Sequence, residues 1–232
     1  DAARKLVRTN LEQGPDATKL FVATPQADRS VKRMPVEIAR AAAEVTHERN
    51  KLVMVHPTDT EGVRLALAAK ADVLVHTTLG EETPWPKDVL RRLLADDIAI
   101  APTLKLLGYE LQKQKVPEHI AGRIIAMTIE HFKPFVSAGG TVVFGTDVGY
   151  MTDYDPTNEY VLMQQAGMTP MQILAALTTA PARVWNEEKQ HGRIEVGMDA
   201  DLVVLRSDPA ADVRRFTDVR CSIRAGQLIY RD

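Results

Sequence analysis

The sequence predicts an α/β protein built on a parallel strand layer, with a small β unit at its C-terminal end. Three observations carry this. Short apolar runs alternate with helical segments five times along the first three quarters of the chain, the pattern of repeated strand–helix units. Runs such as Leu52-Val-Met-Val55 are apolar throughout rather than at every second position, as in strands covered on both faces. From about residue 190 the pattern changes to turn-rich sequence with short strands.

The elements follow in order. Residues 1 to about 13 read as an amphipathic helix ended by Gly14-Pro15. A first strand spans 18–23, and a polar loop with Pro25 runs over 24–34. Pro35 opens a helix, since its fixed φ and missing N–H suit a first turn, and Ile38, Ala42 and Val45 give that helix an apolar face. The second strand is 51–56, followed by a short helix over 61–70. The third strand, 73–77, leads through the stiff Pro84-Trp85-Pro86 into a helix over 87–96. A fourth strand, 98–101, is followed by Pro102-Thr-Leu, a loop, and a long helical stretch over 117–138. Pro134 should kink or end that stretch. Gly139-Gly140 precedes a fifth strand at 141–146, and helices follow near 157–166, 170–178 and 181–186. Short strands are then expected at 202–205, 219–224 and 227–230, the last two joined by a turn at Ala225-Gly226.

Composition bounds the function. The 232 residues are 45% hydrophobic and 26% charged, enough to bury a real core. A net charge of -2 gives no electrostatic reason to bind nucleic acid or an anionic membrane surface, and no apolar run approaches the roughly 18 residues of a spanning helix. Cys221 is the single cysteine, which excludes an internal disulfide and a cysteine-rich zinc site. The opening Asp1-Ala-Ala-Arg-Lys-Leu-Val-Arg reads as the middle of a helix, so the expectation is a segment of a longer chain. A cytoplasmic and a periplasmic or secreted location both stay open.

Four residues stand at the ends of strands or within them: Lys19, His56, His76 and Asp147. In a parallel layer the strand ends meet on one face. The spacings of 37, 20 and 71 residues correspond to one, one and two strand–helix units. Two neutral imidazoles and a carboxylate form an open site for a hydrolytic divalent metal. Such an ion lowers the pKa of bound water from 15.7 to about 7. A lysine ammonium would repel the ion, and it becomes a ligand only if neutralised or converted by carbon dioxide to a carbamate. The competing reading is that each histidine is a hydrogen-bonded structural residue and Lys19 a surface lysine. Residue types and spacing leave both readings standing.

The C-terminal motifs resemble a known family. They are Gly145-Thr-Asp147, Met168-Thr-Pro-Met-Gln-Ile-Leu-Ala-Ala-Leu-Thr-Thr-Ala-Pro-Ala-Arg183, and Gly192-Arg-Ile-Glu-Val-Gly-Met-Asp-Ala-Asp-Leu-Val-Val-Leu205. Together they look like the C-terminal part of a metal-dependent amidohydrolase of the imidazolonepropionase-like group, with ordered likeness over essentially the whole chain. The resemblance implies a (β/α)8 TIM barrel with its site at the C-terminal strand ends. Only strands four to eight would be present, in residues 1–189, with part of a small β-sandwich in 190–232. It implies that Lys19 is the carboxylated, metal-bridging lysine, that His56 and His76 are the ligands of strands five and six, and that Asp147 is a ligand and the catalytic proton carrier. One or two divalent ions, zinc first among them, would be the cofactor. The implied reaction is attack of metal-bound hydroxide on a C–N bond of a small molecule.

The chain also departs from that pattern. The family opens with a strand carrying His-x-His, and no such pair exists among the six histidines. His47, His119 and His131 read as surface or packing residues and His191 as a loop residue. Lys19, His56 and His76 would hold one metal, whereas Asp147 would belong to the other, whose histidine pair is missing. The expectation is an incomplete chain, inactive alone, completed by an N-terminal segment or by association of copies, with truncation the favoured explanation. The alternatives are a non-enzymatic scaffold of the same fold, favoured by the missing pair, and a dipeptidase. His76-Thr-Thr replaces the His-Gly of some dipeptide-cleaving relatives and argues against the second. Tyr109, Tyr150, Tyr154 and Asp153 are expected in loops near a pocket mouth, where packing or solvation is the favoured explanation for each of them.

Overall fold

A computed structural model describes residues 1–26, 30–78, 81 and 83–232. The centre of the loop expected at 24–34 and part of the connection after the third expected strand lie outside the described residues. The chain divides into two compact units, residues 1–102 with 126–141, and residues 103–125 with 142–232. The boundary expected near residue 190 falls inside the second unit, where a stretch of turns leads to a small β-sheet.

The first unit opens with α1 (Ala2–Leu11), whose Val7 and Leu11 point inward. Strand β1 (Ala17–Phe21) follows, and then a hairpin of β2 (Ala23–Pro25) and β3 (Val31–Arg33). The first expected strand therefore ends two residues early. The chain turns out of the sheet at Val22, and its flanks make the hairpin where a plain loop was expected. Helix α2 (Val36–His47) buries Ala39, Ala42, Ala43 and Val45. It is tied to α1 by ion pairs of Arg4 with Glu44 and Arg8 with Glu48.

Then come β4 (Leu52–His56), α3 (Thr60–Ala68), β5 (Val73–Val75), α4 (Lys87–Ala95) and β6 (Ala99–Ala101). The four long-range strands pair in parallel in the order β1-β4-β5-β6. Val53, Val55, Val73, Leu74 and Ile100 are fully buried, as the continuous apolar runs predict for a sheet covered on both faces. Because each strand returns through a helix, all four C-terminal ends lie on one side.

The fifth expected strand does not form. Ile100 N–H reaches the carbonyl of Thr141, but the segment 141–146 carries no named strand. Farther on, the N–H of Phe144 donates to the carbonyl of Ala176 instead. Apolar content alone does not make a strand; a ladder also needs repeated bonds to one neighbour.

The second unit begins with α5 (Leu104–Lys113), a helix where the sequence predicts a loop. Helix α6 (Glu118–Ser137) follows, and its second half belongs to the first unit. Pro134 does not end it; the helix runs on to Ser137. Helices α7 (Thr157–Gln165), α8 (Pro170–Leu177) and α9 (Thr179–Val184) come next. Thr169 caps α8 in a reciprocal capping box with Gln172, with Pro170 in the first turn. The chain closes with β7 (Leu202–Leu205), a 3-10 turn at Val213–Thr217, β8 (Val219–Arg224) and β9 (Gln227–Arg231), an antiparallel sheet in that order. Ala225 and Gly226 both take positive φ, 48° and 76°, the conformation a tight two-residue hairpin demands. Among the described residues no helix is long and apolar enough to cross a membrane.

One buried group makes the second unit sensitive to pH. Glu159 of α7 is completely buried and accepts the N–H groups of Leu104 (3.0 Å) and Lys105 (2.7 Å) at the start of α5. Burial pushes its carboxyl from 4.5 up to about 7, against the opposing pull of those two donors and the Lys105 charge. Nearby Asp153, bonded to Lys105, and Asp155, bonded to Thr157, are held below the usual carboxylate range and titrate outside this window. A carboxyl whose pKa is higher in the folded state holds its proton more tightly there. Its contribution is therefore fully present below about pH 4.5 and lost as pH rises through about 7. At 1.36 kcal/mol per pKa unit the loss is on the order of 3 kcal/mol. Denaturant unfolding between these pH values should show the unaltered chain losing stability relative to Glu159→Gln. A pH-independent difference between the two would refute the assignment.

Candidate metal site

The parallel register brings three of the four expected residues to one end of the sheet. Phe21, at the end of β1, pairs with His56, at the end of β4. Lys19 lies two residues before Phe21 and so shares its face. Its Nζ stands 5.0 Å from the Phe21 ring centroid. The Phe21 ring in turn stacks on the imidazole of His56, with centroids 4.9 Å apart. His76 follows β5 directly. Its N–H donates to the carbonyl of Ala101, and its φ of 79° lies in the left-handed region. That backbone is uncommon for a side-chain-bearing residue and is typical of functional turns. The rings of His56 and His76 meet edge to face, centroids 4.7 Å apart.

Burial fixes the protonation of His76. His76 is only 4% exposed. Burial, with the nearby charges of His56 and Lys19 adding to it, drives its pKa down to about 3. His76 is therefore a neutral imidazole at any ordinary pH, the form that binds a metal.

Among the described residues no group of three or more His, Cys, Asp or Glu side chains is gathered as a metal cage. Among the described residues of the first unit, Lys19, whose charge acts on His76, is the candidate third donor. Two imidazoles beside a lysine fit a single divalent ion if Lys19 carries a carbamate, because that change replaces a repelling cation with anionic oxygens.

Asp147 lies in the second unit, at a φ of 63°. Its carbonyl accepts the N–H groups of Tyr150 (3.2 Å) and Met151 (3.1 Å). Among the described residues its carboxylate meets no hydrogen-bond or ion-pair partner.

The remaining histidines behave as the sequence suggests. His47 pairs with Asp72 at 2.8 Å, His119 is exposed, and His191 lies between Asp199 and Asp201. His131 is buried, its Nε2 3.0 Å from Thr78 Oγ1, which also accepts the indole N–H of Trp85. Tyr109 is a correction. It lies on α5 rather than in a loop, 6.3 Å from the Tyr150 ring.

Sequence reasoning missed Phe21, which bridges Lys19 and His56; the alternation of side chains along a strand was the signal that could have found it. It also missed Glu159 and Lys105, whose roles depend on contacts distant in sequence.

Comparison with known proteins gives a consistent result. The model of the amidohydrolase family matches residues 1–229. The ochratoxinase of Aspergillus niger is 23% identical over 228 residues, which cover 94% of this chain and 46% of that protein. Among solved structures, a Xaa-Pro dipeptidase with bound methionine superposes with a TM-score of 0.85 at 22% identity, covering 99% of this chain and 58% of the other. Molinate hydrolase superposes with a TM-score of 0.78 at 24% identity, covering 98% and 54%. The chain thus spans about half the length of these relatives. The likeness shows the fold expected from the sequence, part of an amidohydrolase-type α/β barrel followed by C-terminal β strands.

Proposed function

The chain belongs to the amidohydrolase family, and on that premise we propose that it supplies one metal half-site and the proton carrier of a divalent-metal hydrolase. Lys19, His56 and His76 form the half-site and Asp147 is the proton carrier. The observation that carries this is the edge-to-face pair of His56 and His76 at 4.7 Å, at the ends of adjacent parallel strands, with His76 held neutral. A divalent ion, if held there, would supply Lewis acidity that acidifies a water and polarises a carbonyl. The histidines would offer it imidazole nitrogen, and Lys19, as a carbamate, would offer oxygen and remove a positive charge. Asp147, its carboxylate unengaged among the described residues, would be the proton carrier between water and a leaving nitrogen.

The substrate in this proposal is a small molecule cleaved at a C–N bond. A non-peptide bond is the first reading, with an ochratoxinase and a molinate hydrolase among the proteins the chain is similar to. A dipeptide is the second, supported by the Xaa-Pro dipeptidase among the structural neighbours.

Protein prepared with bicarbonate and zinc is expected to show a carbamate on Lys19 by native mass spectrometry, together with bound metal by elemental analysis. Absence of both would sink the hydrolase reading and favour a scaffold of the same fold.

A further inference from the structure

Within the second unit, the turn that carries Asp147 is gripped from one side by α5. The grip has two points. Near the start of the helix, the Lys105 side chain is 8% exposed. Its ammonium donates to the carbonyls of Asp153 (3.3 Å) and Asp155 and pairs with the Asp153 carboxylate at 2.7 Å. Farther along, Glu110 accepts the phenolic O–H of Tyr150 at 2.6 Å, and Lys113 donates to the same oxygen at 3.1 Å.

The helix is itself held in place. The buried Glu159 accepts the main-chain N–H of Lys105. Lys105 is thus fixed by its backbone to α7 and by its side chain to the loop that leads into α7. A buried ammonium that spends its hydrogen bonds on two loop carbonyls and a carboxylate is a costly device for mere solubility. It fixes the path of the main chain at 153–155.

Asp147 has no such side-chain anchor among the described residues. Its place is set through its backbone, by the left-handed φ and the turn closed by Tyr150 and Met151 N–H on its carbonyl. Gly149 N–H also closes on the carbonyl of Met151 at 3.1 Å, and Met151 is only 1% exposed. Whatever holds 150–155 therefore holds Asp147.

We propose that α5 is the element that positions Asp147, with Lys105 as the principal positioning residue and the Tyr150–Glu110 contact as a second, exposed latch. The functional meaning rests on Asp147 being the proton carrier proposed above; the mechanical claim does not.

The test reads the turn directly. In Lys105→Met, amide hydrogen exchange at Gly149, Tyr150 and Met151 should accelerate by roughly tenfold or more, as expected when a local closed unit opens. The Asp147 carboxyl-carbon resonance, assigned with Asp147→Asn, should shift or broaden. Lys105→Arg, which keeps a donor cation, should restore most of both, and amides of β8 should exchange as in the unaltered chain. Tyr150→Phe should accelerate the same turn amides by a few fold; it decides the matter if Lys105→Met fails to fold. Unchanged turn protection, or acceleration spread equally over β8, would overturn the inference. None of these readouts needs metal or turnover. Failure of zinc to bind His56 and His76 would therefore sink the proposed function alone, and an unmoved turn would sink this inference alone.

Discussion

Zinc titrated into His56→Ala or His76→Ala is expected to bind at least about 100-fold more weakly than to the unaltered chain. Zinc bound by four structural ligands contributes about 10–16 kcal/mol in apparent free energy, so one ligand carries on the order of 3 kcal/mol, roughly 100-fold in affinity. Here the fraction lost is larger, because His56 and His76 are the two imidazole donors that the sheet brings together. The two variants differ in their side effects. His76 is buried, and its truncation leaves a cavity that lowers stability by itself. His56 is half-buried, so His56→Ala is the cleaner probe. Calorimetric titration of both, alongside His119→Ala as an exposed control, separates loss of a ligand from loss of fold when paired with thermal melts. If both variants keep the parent affinity and remain folded, the histidine pair is not a metal site.

How much of this was legible in the sequence follows from how local each feature is. Strands β4, β5 and β6 and the capped helix α8 could be read directly, because continuous apolar runs and the Thr169–Gln172 capping box need no distant partner. The hairpin between β8 and β9 was legible for the same reason. Helix α5 was not. Its N-cap, Thr103, sits at a φ of 46° and offers no side-chain cap. The N–H groups at its start are satisfied by Glu159, separated by 55 residues from Leu104. A cap supplied from that far away leaves no mark beside the helix. The segment 141–146 erred in the opposite direction, because its apolar composition looks like a strand while Phe144 bonds to the end of α8 instead.

The site divides along the same line. His56 and His76 were visible because they close apolar runs, and register alone then brings them together. The link from Lys19 through Phe21 to His56 needs the pairing of β1 with β4, which no local pattern reveals.

Gly62→Ala should destabilise the first unit by about 3 kcal/mol or more, although helix propensity alone predicts the opposite sign. Gly62 lies in the first turn of α3, where alanine would be favoured over glycine by about 1 kcal/mol in an open helix. Space decides against it. A Cβ at this position would stand 1.7 Å from the carbonyl oxygen of Pro57 and 2.6 Å from its carbonyl carbon. Both are backbone atoms that no rotamer change can move. Relief requires α3 to back away from Pro57 by more than an ångström, or Pro57 to yield. The first breaks the cap in which Asp59 accepts Gly62 N–H at 2.8 Å and strains the bidentate pairing of Asp59 with Arg33, a loss of about 1 kcal/mol for the cap alone. The second shifts the residue directly after His56. A variant that folds should therefore also bind zinc more weakly, although Gly62 touches no ligand. Gly122→Ala supplies the contrast. That glycine lies in α6, exposed, with nothing within 4 Å of its would-be Cβ, so the same exchange should stabilise by about 0.5–1 kcal/mol. Denaturation midpoints of the two variants shifting in opposite directions would show that backbone contact, rather than helix propensity, governs the turn behind His56. A Gly62→Ala midpoint at or above that of the unaltered chain would refute it.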